Sequence, residues 1–244
     1  MNIDRRQEKR NDDRGKLMDI DFDLFLDPYV QAVSELKVKL RGIRKQYRKQ
    51  GLYSPIEFVT GRVKPIDSII KKAELRGFSL DKLETDMQDI AGLRIMVQFV
   101  EDIDDIVELL RNRTDFTIVQ ERDYITNKKQ SGYRSYHVII NYPVETIDGE
   151  IHVFAEIQIR TLAMNFWATI EHSLNYKYQG DFPDELKARL ERTAEIAYML
   201  DNEMSKIKDD IQEAQLIFDP PGRKQRHQEK LRNVDADGLS RKKE

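Results

Sequence analysis

Glu156, Gln158 and Arg160 occupy every second position of one stretch, with Ile157 and Ile159 between them. Strand alternation puts this carboxylate, amide and guanidinium in one row on one sheet face. Asp89 stands just ahead of an almost wholly apolar run, residues 90–100 (IAGLRIMVQFV). Asp89 and Glu156 are hard oxygen donors beside strand candidates, in a chain with no cysteine and only four histidines, so the metal they suit is Mg²⁺ rather than Zn²⁺. The alternative is two unrelated exposed carboxylates. Arg94 lies inside the apolar run, where a charge needs a partner or a ligand. Simple alternation puts Asp89 and Arg94 on opposite faces unless Gly92 marks a bulge.

Two further segments carry chemistry. In residues 61–76 (GRVKPIDSIIKKAELR), Arg62 and Lys64 share a side of an extended piece, and Pro65 opens a helix with Ser68, Lys72 and Arg76 along one face. Basic groups near a helix N-terminus suit a triphosphate; the same spacing also suits a solvated helix face. In residues 128–140 (KKQSGYRSYHVII), Tyr133, Ser135 and His137 share a side if the segment is extended, with Lys128, Lys129 and Gly132 as a basic approach. A ring, a histidine and a lysine suit a base-stacking, phosphate-binding pocket; a core tyrosine with a structural histidine is the bland alternative.

The elements that must position these groups are legible in outline. Apolar residues at helical spacing predict a first helix over 22–48, basic in its second half, with Gly51 as a stop. Residues 56–63 look extended and 101–113 helical. Runs at 90–100, 116–124, 136–144 and 151–159 read as strands, the last two a hairpin joined through Asp148-Gly149. Helices fill 161–178 and about 183–214. The fold class is α+β: one domain over 19–215, with a mixed, about five-stranded sheet flanked by helices. Residues 1–18 read as a polar, disordered tail and 216–244 as a flexible, charged one.

Composition narrows the function. The 244 residues are 39% apolar and 35% charged, with a net charge of -3, so any basic site is local. Without cysteine, disulfides and thiolate metal sites are excluded. The charged N-terminus has no apolar leader, and no apolar run is long enough to span a bilayer, so a soluble cytoplasmic protein without membrane partners is expected. GxxxxGK[ST], GxSxG and GxGxxG are all absent.

Taken together, the segments GRVK…S…K…R, DIAGLR, GYRSYH and EIQIRT…N…EH…YK resemble the synthetase domain of the RelA/SpoT family over about residues 55–180. The size and flanks are similar to its small alarmone synthetases, most closely the RelQ type. The resemblance implies a nucleotidyltransferase-like fold and a (p)ppGpp synthetase of the stringent response. That enzyme transfers the β,γ-pyrophosphate of ATP to the 3′-hydroxyl of GTP or GDP. Carried onto this sequence, Arg62 and Arg94 would hold adenine, and Lys64, Ser68, Lys72 and Arg76 the ATP phosphates. Asp89 and Glu156 would hold Mg²⁺, with Glu156 also the candidate base. Tyr133 would stack on guanine, and Lys129, His137 and Gln158 would contact the acceptor.

The family's hydrolase domain carries a His-Asp motif, which never occurs here, so a synthesis-only enzyme is expected. The resemblance further implies a homotetramer with pppGpp at an allosteric subunit-interface site, matched approximately by Lys37, Arg41, Phe58, Thr60 and Asn165. It also implies binding of single-stranded RNA, with which the basic 37–49 segment is compatible. A related nucleotidyltransferase and an RNA-binding nucleotide sensor are the competing readings. Arg160 has no role beyond an ion pair fixing the strand end.

Overall fold

The computed structural model describes residues 21–79, 82–178 and 183–218. The expected N-terminal tail, 1–18, and residues 219–244 of the C-terminal one lie outside the described residues, whereas residues 216–218, expected to begin that tail, are helical. Helix α1 (Phe22–Lys49) opens the described chain. It is followed by β1 (Phe58–Val63), α2 (Ile66–Arg76), a single turn α3 (Leu83–Asp86), β2 (Ala91–Val97) and α4 (Asp102–Arg111). Then come β3 (Thr117–Asp123), β4 (Tyr136–Thr146), β5 (Gly149–Thr161), α5 (Leu162–Lys177) and α6 (Asp184–Phe218). The chain divides into two compact units after Asp201. The first holds the sheet and α6 up to that residue. The second, where described, is helical over 202–218.

The sheet is mixed, as expected, and its order is β1-β2-β5-β4-β3. Only β2 and β5 run parallel; the other neighbours are antiparallel. The apolar run at 90–100 is interior, but the middle place belongs to β5. The β4–β5 hairpin closes tighter than expected: Thr146 pairs with Gly149, so the loop is Ile147-Asp148. Gly149 has φ +110, which a side chain would strain.

Alternation sorts the two faces. Val59, Leu93, Ile95, Val138, Ile140, Ala155, Ile157 and Ile159 point into the core. Helix α1 covers that face with Tyr29, Ala32, Val33, Leu36 and Leu40, and its N-terminus is capped by the Asp21 carboxylate, which accepts from the Asp23 and Leu24 amides. Gly61 lets α1 approach: a Cβ there would lie 2.9 Å from Val33 Cγ1 and 3.0 Å from Lys37 Cδ. Helix α2 ends at Gly77, in the left-handed region at φ 68, with Phe78 N–H returning to the Ala73 carbonyl. The opposite face carries the polar rows.

Candidate active site

Register puts the predicted residues side by side. Thr60 pairs with Arg94, Arg94 with Gln158, and Gln158 with His137. One row along, Arg62 pairs with Gly92 and Gly92 with Glu156. In-register partners share a face, so alternation in neighbouring strands collects onto one polar surface. A pocket of about 280 Å³ sits there, lined by Arg62, Lys64, Asp89, Arg94, Glu156 and Gln158, with Thr60 at its side. Gly92, opposite Glu156, leaves its floor open.

The apparent conflict between Asp89 and Arg94 dissolves without a bulge. The β1–β2 and β2–β5 registers run unbroken through Gly92. Asp89 lies in the turn before β2, where strand alternation does not apply. Lys64 N–H donates to the Ile90 carbonyl at 2.8 Å, which anchors that turn beside the end of β1. Asp89 Oδ2 then accepts from Lys64 Nζ at 2.5 Å and Lys72 Nζ at 2.7 Å. Burial alone would raise the Asp89 carboxyl, but these two ammonium groups outweigh it and hold the pKa below the ordinary value. Burial lowers that of Lys64 despite Asp89. Asp89 Oδ1 is buried without a hydrogen-bond partner among the described residues. Ser68 and Arg76 stand one turn either side of Lys72 on the same helix face, both exposed. Arg94 has its pKa lowered, first by burial and then by the like charges of Arg160 and Arg62. The pocket therefore gathers positive charge that is only partly compensated.

The other half of the site is a hydrogen-bonded chain. Tyr133 Oη meets His137 Nε2 at 2.8 Å, and His137 Nδ1 meets Glu156 Oε1 at 2.9 Å. Gln158 Nε2 donates to Glu156 Oε2 at 2.7 Å, and Arg94 Nε donates to Gln158 Oε1 at 3.3 Å. Burial would raise the Glu156 carboxyl; its contact with His137, aided by Gln158, keeps it below the ordinary value. Lys129 places its ammonium 4.7 Å from the centre of the Tyr133 ring and 4.6 Å from that of Tyr124. Desolvation there lowers its pKa.

Sequence reasoning does not reach the roles of two members of this chain. Arg160 is 4% exposed. It donates through Nη2 to Tyr133 Oη at 2.5 Å and Gln158 Oε1 at 2.8 Å, and through Nε to Ser135 Oγ at 3.2 Å. These partners are neutral, so the expected strand-end ion pair is replaced by a hydrogen-bonded hub. Its parity with Glu156 and Gln158 is the available signal. Tyr124 lies edge-on to both Tyr133 and His137, with centroids 6.1 and 5.1 Å away. Nothing in its local sequence marks it.

The five residues matched to a regulatory site are not all brought together in one chain. Lys37 lays its stem over Gly61, and Arg41 Nη2 donates to the Val59 carbonyl at 3.1 Å. Phe58 begins β1 and is exposed, whereas Thr60 lines the pocket. Asn165 is on α5, with its Oδ1 buried and unpartnered among the described residues, and it makes no side-chain bond to the other four.

Comparison with known proteins identifies the family. Residues 61–181 match the model described as the region found in RelA / SpoT proteins. The chain is 60% identical over 200 residues to the GTP pyrophosphokinase YjbM of Bacillus subtilis, covering 82% of this chain and 94% of that one. A GTP pyrophosphokinase family structure from Streptococcus pneumoniae aligns with a TM-score of 0.76 at 68% identity, over 82% of this chain and 99% of the other. The small alarmone synthetase 1 of Bacillus subtilis, bound to its product pppGpp, aligns with a TM-score of 0.76 at 60% identity, over 78% of this chain and 98% of the other. On its sequence and its fold alike, this chain belongs to the RelA/SpoT family.

Proposed function

We propose that this protein is a small alarmone synthetase, a GTP pyrophosphokinase that moves the β,γ-pyrophosphate of ATP onto the 3′-hydroxyl of GTP or GDP. The products are AMP and pppGpp or ppGpp. The observation that carries the reading is Glu156. It joins a basic pocket suited to a triphosphate to an aromatic, histidine-bearing cluster suited to a second nucleotide. The relative that binds pppGpp as its product supports the same assignment.

The donor half is Arg62 and Arg94 for adenine, with Lys64, Ser68, Lys72 and Arg76 for the phosphates. The acceptor half is Tyr133 for guanine, with Lys129, His137 and Gln158 around the ribose and phosphates. The residues fit Mg²⁺: Asp89 Oδ1 is buried with no partner among the described residues, and the Asp89 and Glu156 carboxylates act on each other electrostatically. When bound, the ion would neutralise phosphate charge and polarise the β-phosphoryl group. Asp89 and Glu156 would hold the ion as carboxylate oxygen ligands of the kind Mg²⁺ takes.

The chemistry needs positioning more than a covalent intermediate. As the 3′-oxygen bonds to the β-phosphorus, the bond to the α,β-bridging oxygen breaks and AMP leaves with that oxygen. The 3′-hydroxyl proton passes to Glu156, whose low pKa keeps it ionised at neutral pH. Lys64 and Lys72, released from Asp89, turn toward the phosphates. His137 and Gln158 hold one Glu156 oxygen each and fix its orientation.

The test is incubation with labelled ATP, GTP and Mg²⁺, with the products resolved. AMP with a guanosine pentaphosphate is expected; released pyrophosphate would indicate nucleotidyl transfer, and RNA binding without turnover a sensor. Glu156→Gln should lower the rate by about 10²–10⁴-fold while ATP still binds; a near-normal rate would remove Glu156 as the base.

Assembly and regulation belong to the same proposal. Leu162, Phe166, Ile170 and Leu174 form an exposed apolar stripe at spacing four along α5, which suits burial between subunits of a homotetramer. Asn165 shares that helix, and its unpartnered Oδ1 suits a pppGpp contact completed by Lys37, Arg41, Phe58 and Thr60 of a neighbouring copy. The basic second half of α1 suits single-stranded RNA. Among the described residues no helix is long and apolar enough to cross a membrane, and a cytoplasmic place is the natural one for ATP and GTP chemistry.

A further inference from the structure

The segment that carries Lys129 and Tyr133 is fastened to helix α6 at both ends, and one carboxylate holds both fastenings. Glu195 pairs with Lys128 Nζ and, through each of its oxygens at 3.2 Å, with Arg134 Nη2. Lys128 and Arg134 immediately adjoin the two acceptor-site residues. Arg134 is 7% exposed. It also donates through Nη1 to the Ala194 carbonyl at 3.4 Å, and its guanidinium lies 4.0 Å from the centre of the Tyr198 ring. Between the fastenings, Gly132 presses on α6. Its φ is +86, and a Cβ there would lie 2.5 Å from Ala194 Cβ. Tyr133 packs against the small cluster of Trp167, Ala168 and Ala194. Trp167 Nε1 in turn donates to the Leu190 carbonyl and Thr193 Oγ1, at 3.1 Å each, which ties α5 to the same stretch of α6.

The geometry points to Glu195 as a positioning residue for the acceptor nucleotide, acting through Lys128 and Arg134 to hold Lys129 and the Tyr133 ring at the pocket. The inference rests on the acceptor assignment proposed above. The donor half takes no part in it: Arg62, Lys64, Lys72 and Asp89 are anchored by β1, α2 and the turn before β2. Loss of the Glu195 charge leaves the Arg134 guanidinium buried with one strong partner fewer. It frees the segment locally, because the bonds within it, Lys129 N–H to the Tyr133 carbonyl and Gly132 N–H to the Lys129 carbonyl, close only a short loop. The effect must therefore fall on one substrate.

Steady-state kinetics of the full chain with Glu195→Gln separate the cases. Loosening groups that bind the acceptor equally in ground and transition state removes uniform binding of that substrate, so the KM for GTP or GDP should rise about tenfold. The KM for ATP and kcat should stay within about twofold. An unchanged acceptor KM, or both KM values rising together, would overturn the assignment. Hydrogen exchange at residues 128–134 provides a readout independent of turnover. It should quicken in the variant while β4 and β5 amides keep their protection; unchanged exchange there would also overturn it. Lys128→Met removes only the exposed fastening and should give a smaller rise in acceptor KM than Glu195→Gln; an equal or larger one would shift the role to Lys128. Failure of the parent protein to make a pentaphosphate would instead refute the functional reading, before any variant is compared.

Discussion

Arg160 shows how much one side chain can organise. Its fork engages Tyr133 and Ser135 from the segment before β4 and Gln158 from its own strand, and its guanidinium carbon lies 5.0 Å from the Tyr133 ring centre. A lysine keeps the charge but has neither the planar fork nor three fixed directions. Arg160→Lys should therefore lower unfolding free energy by about 1–3 kcal/mol, because a buried donor or acceptor is left unmatched. The same variant should raise the acceptor KM more than the ATP KM. Urea unfolding beside two-substrate kinetics measures both, and a variant indistinguishable from the parent in each would remove Arg160 from the site. The row Glu156, Gln158, Arg160 is readable from alternation alone. Arg160's partners are not, because Tyr133 and Ser135 reach it only through the pairing of β4 with β5. Asp89 escapes the same reasoning for the opposite reason: alternation does not extend into the turn before the strand to which it applies.

At the scale of elements, strands and helices lie close to their expected places because apolar periodicity is strong on the core face. That β5 is the middle strand is not legible, since order depends on the parallel β2–β5 pairing across the intervening α4, β3 and β4. That parallel pairing sets Arg94 beside Gln158 and Gly92 beside Glu156, so it builds the site as much as any residue does. The edge contact of α1 with β1 is equally non-local. Gly61 has no turn to make; it is small because Val33 and the Lys37 stem pass over it. Gly61→Val should destabilise the protein by about 1–3 kcal/mol through overpacking, and the displaced Lys37 should weaken any pppGpp activation. Thermal melting, with activity measured with and without added pppGpp, tests both. Full stability in the variant would mean that α1 yields without loss.

For the molecule as a whole, stability should depend on pH through a group far from the phosphates. Asp201 is 5% exposed and accepts from Thr161 Oγ1 at 2.6 Å, while Thr161 also caps α5 by accepting from Met164 N–H at 3.0 Å. Burial pushes the Asp201 carboxyl from its ordinary 3.8 up to about 6, against the opposing pull of Thr161 and Arg134. The folded-state pKa lies above the unfolded one, so the fold favours the protonated form. That preference is fully expressed below the unfolded value and is lost as pH rises through the folded one. Above about pH 6 the ionised carboxylate opposes folding by about 1–3 kcal/mol, at roughly 1.4 kcal/mol for each tenfold change in proton affinity. Asp201→Asn keeps an acceptor for Thr161 and removes the charge. It should raise Tm at pH 7.5 by about 2–4 °C for each kcal/mol regained. The gain should shrink toward pH 5, where the parent carboxyl is already largely protonated. Carboxylates with lowered pKa values, Asp89 and Glu156 among them, shift stability the other way but act equally in parent and variant, so the difference isolates Asp201. A gain of equal size at both pH values would show that charge is not its source. A loss at pH 7.5 would mean that the Asp201 carboxylate stabilises the junction of β5, α5 and α6 through its hydrogen bond more than its burial opposes it.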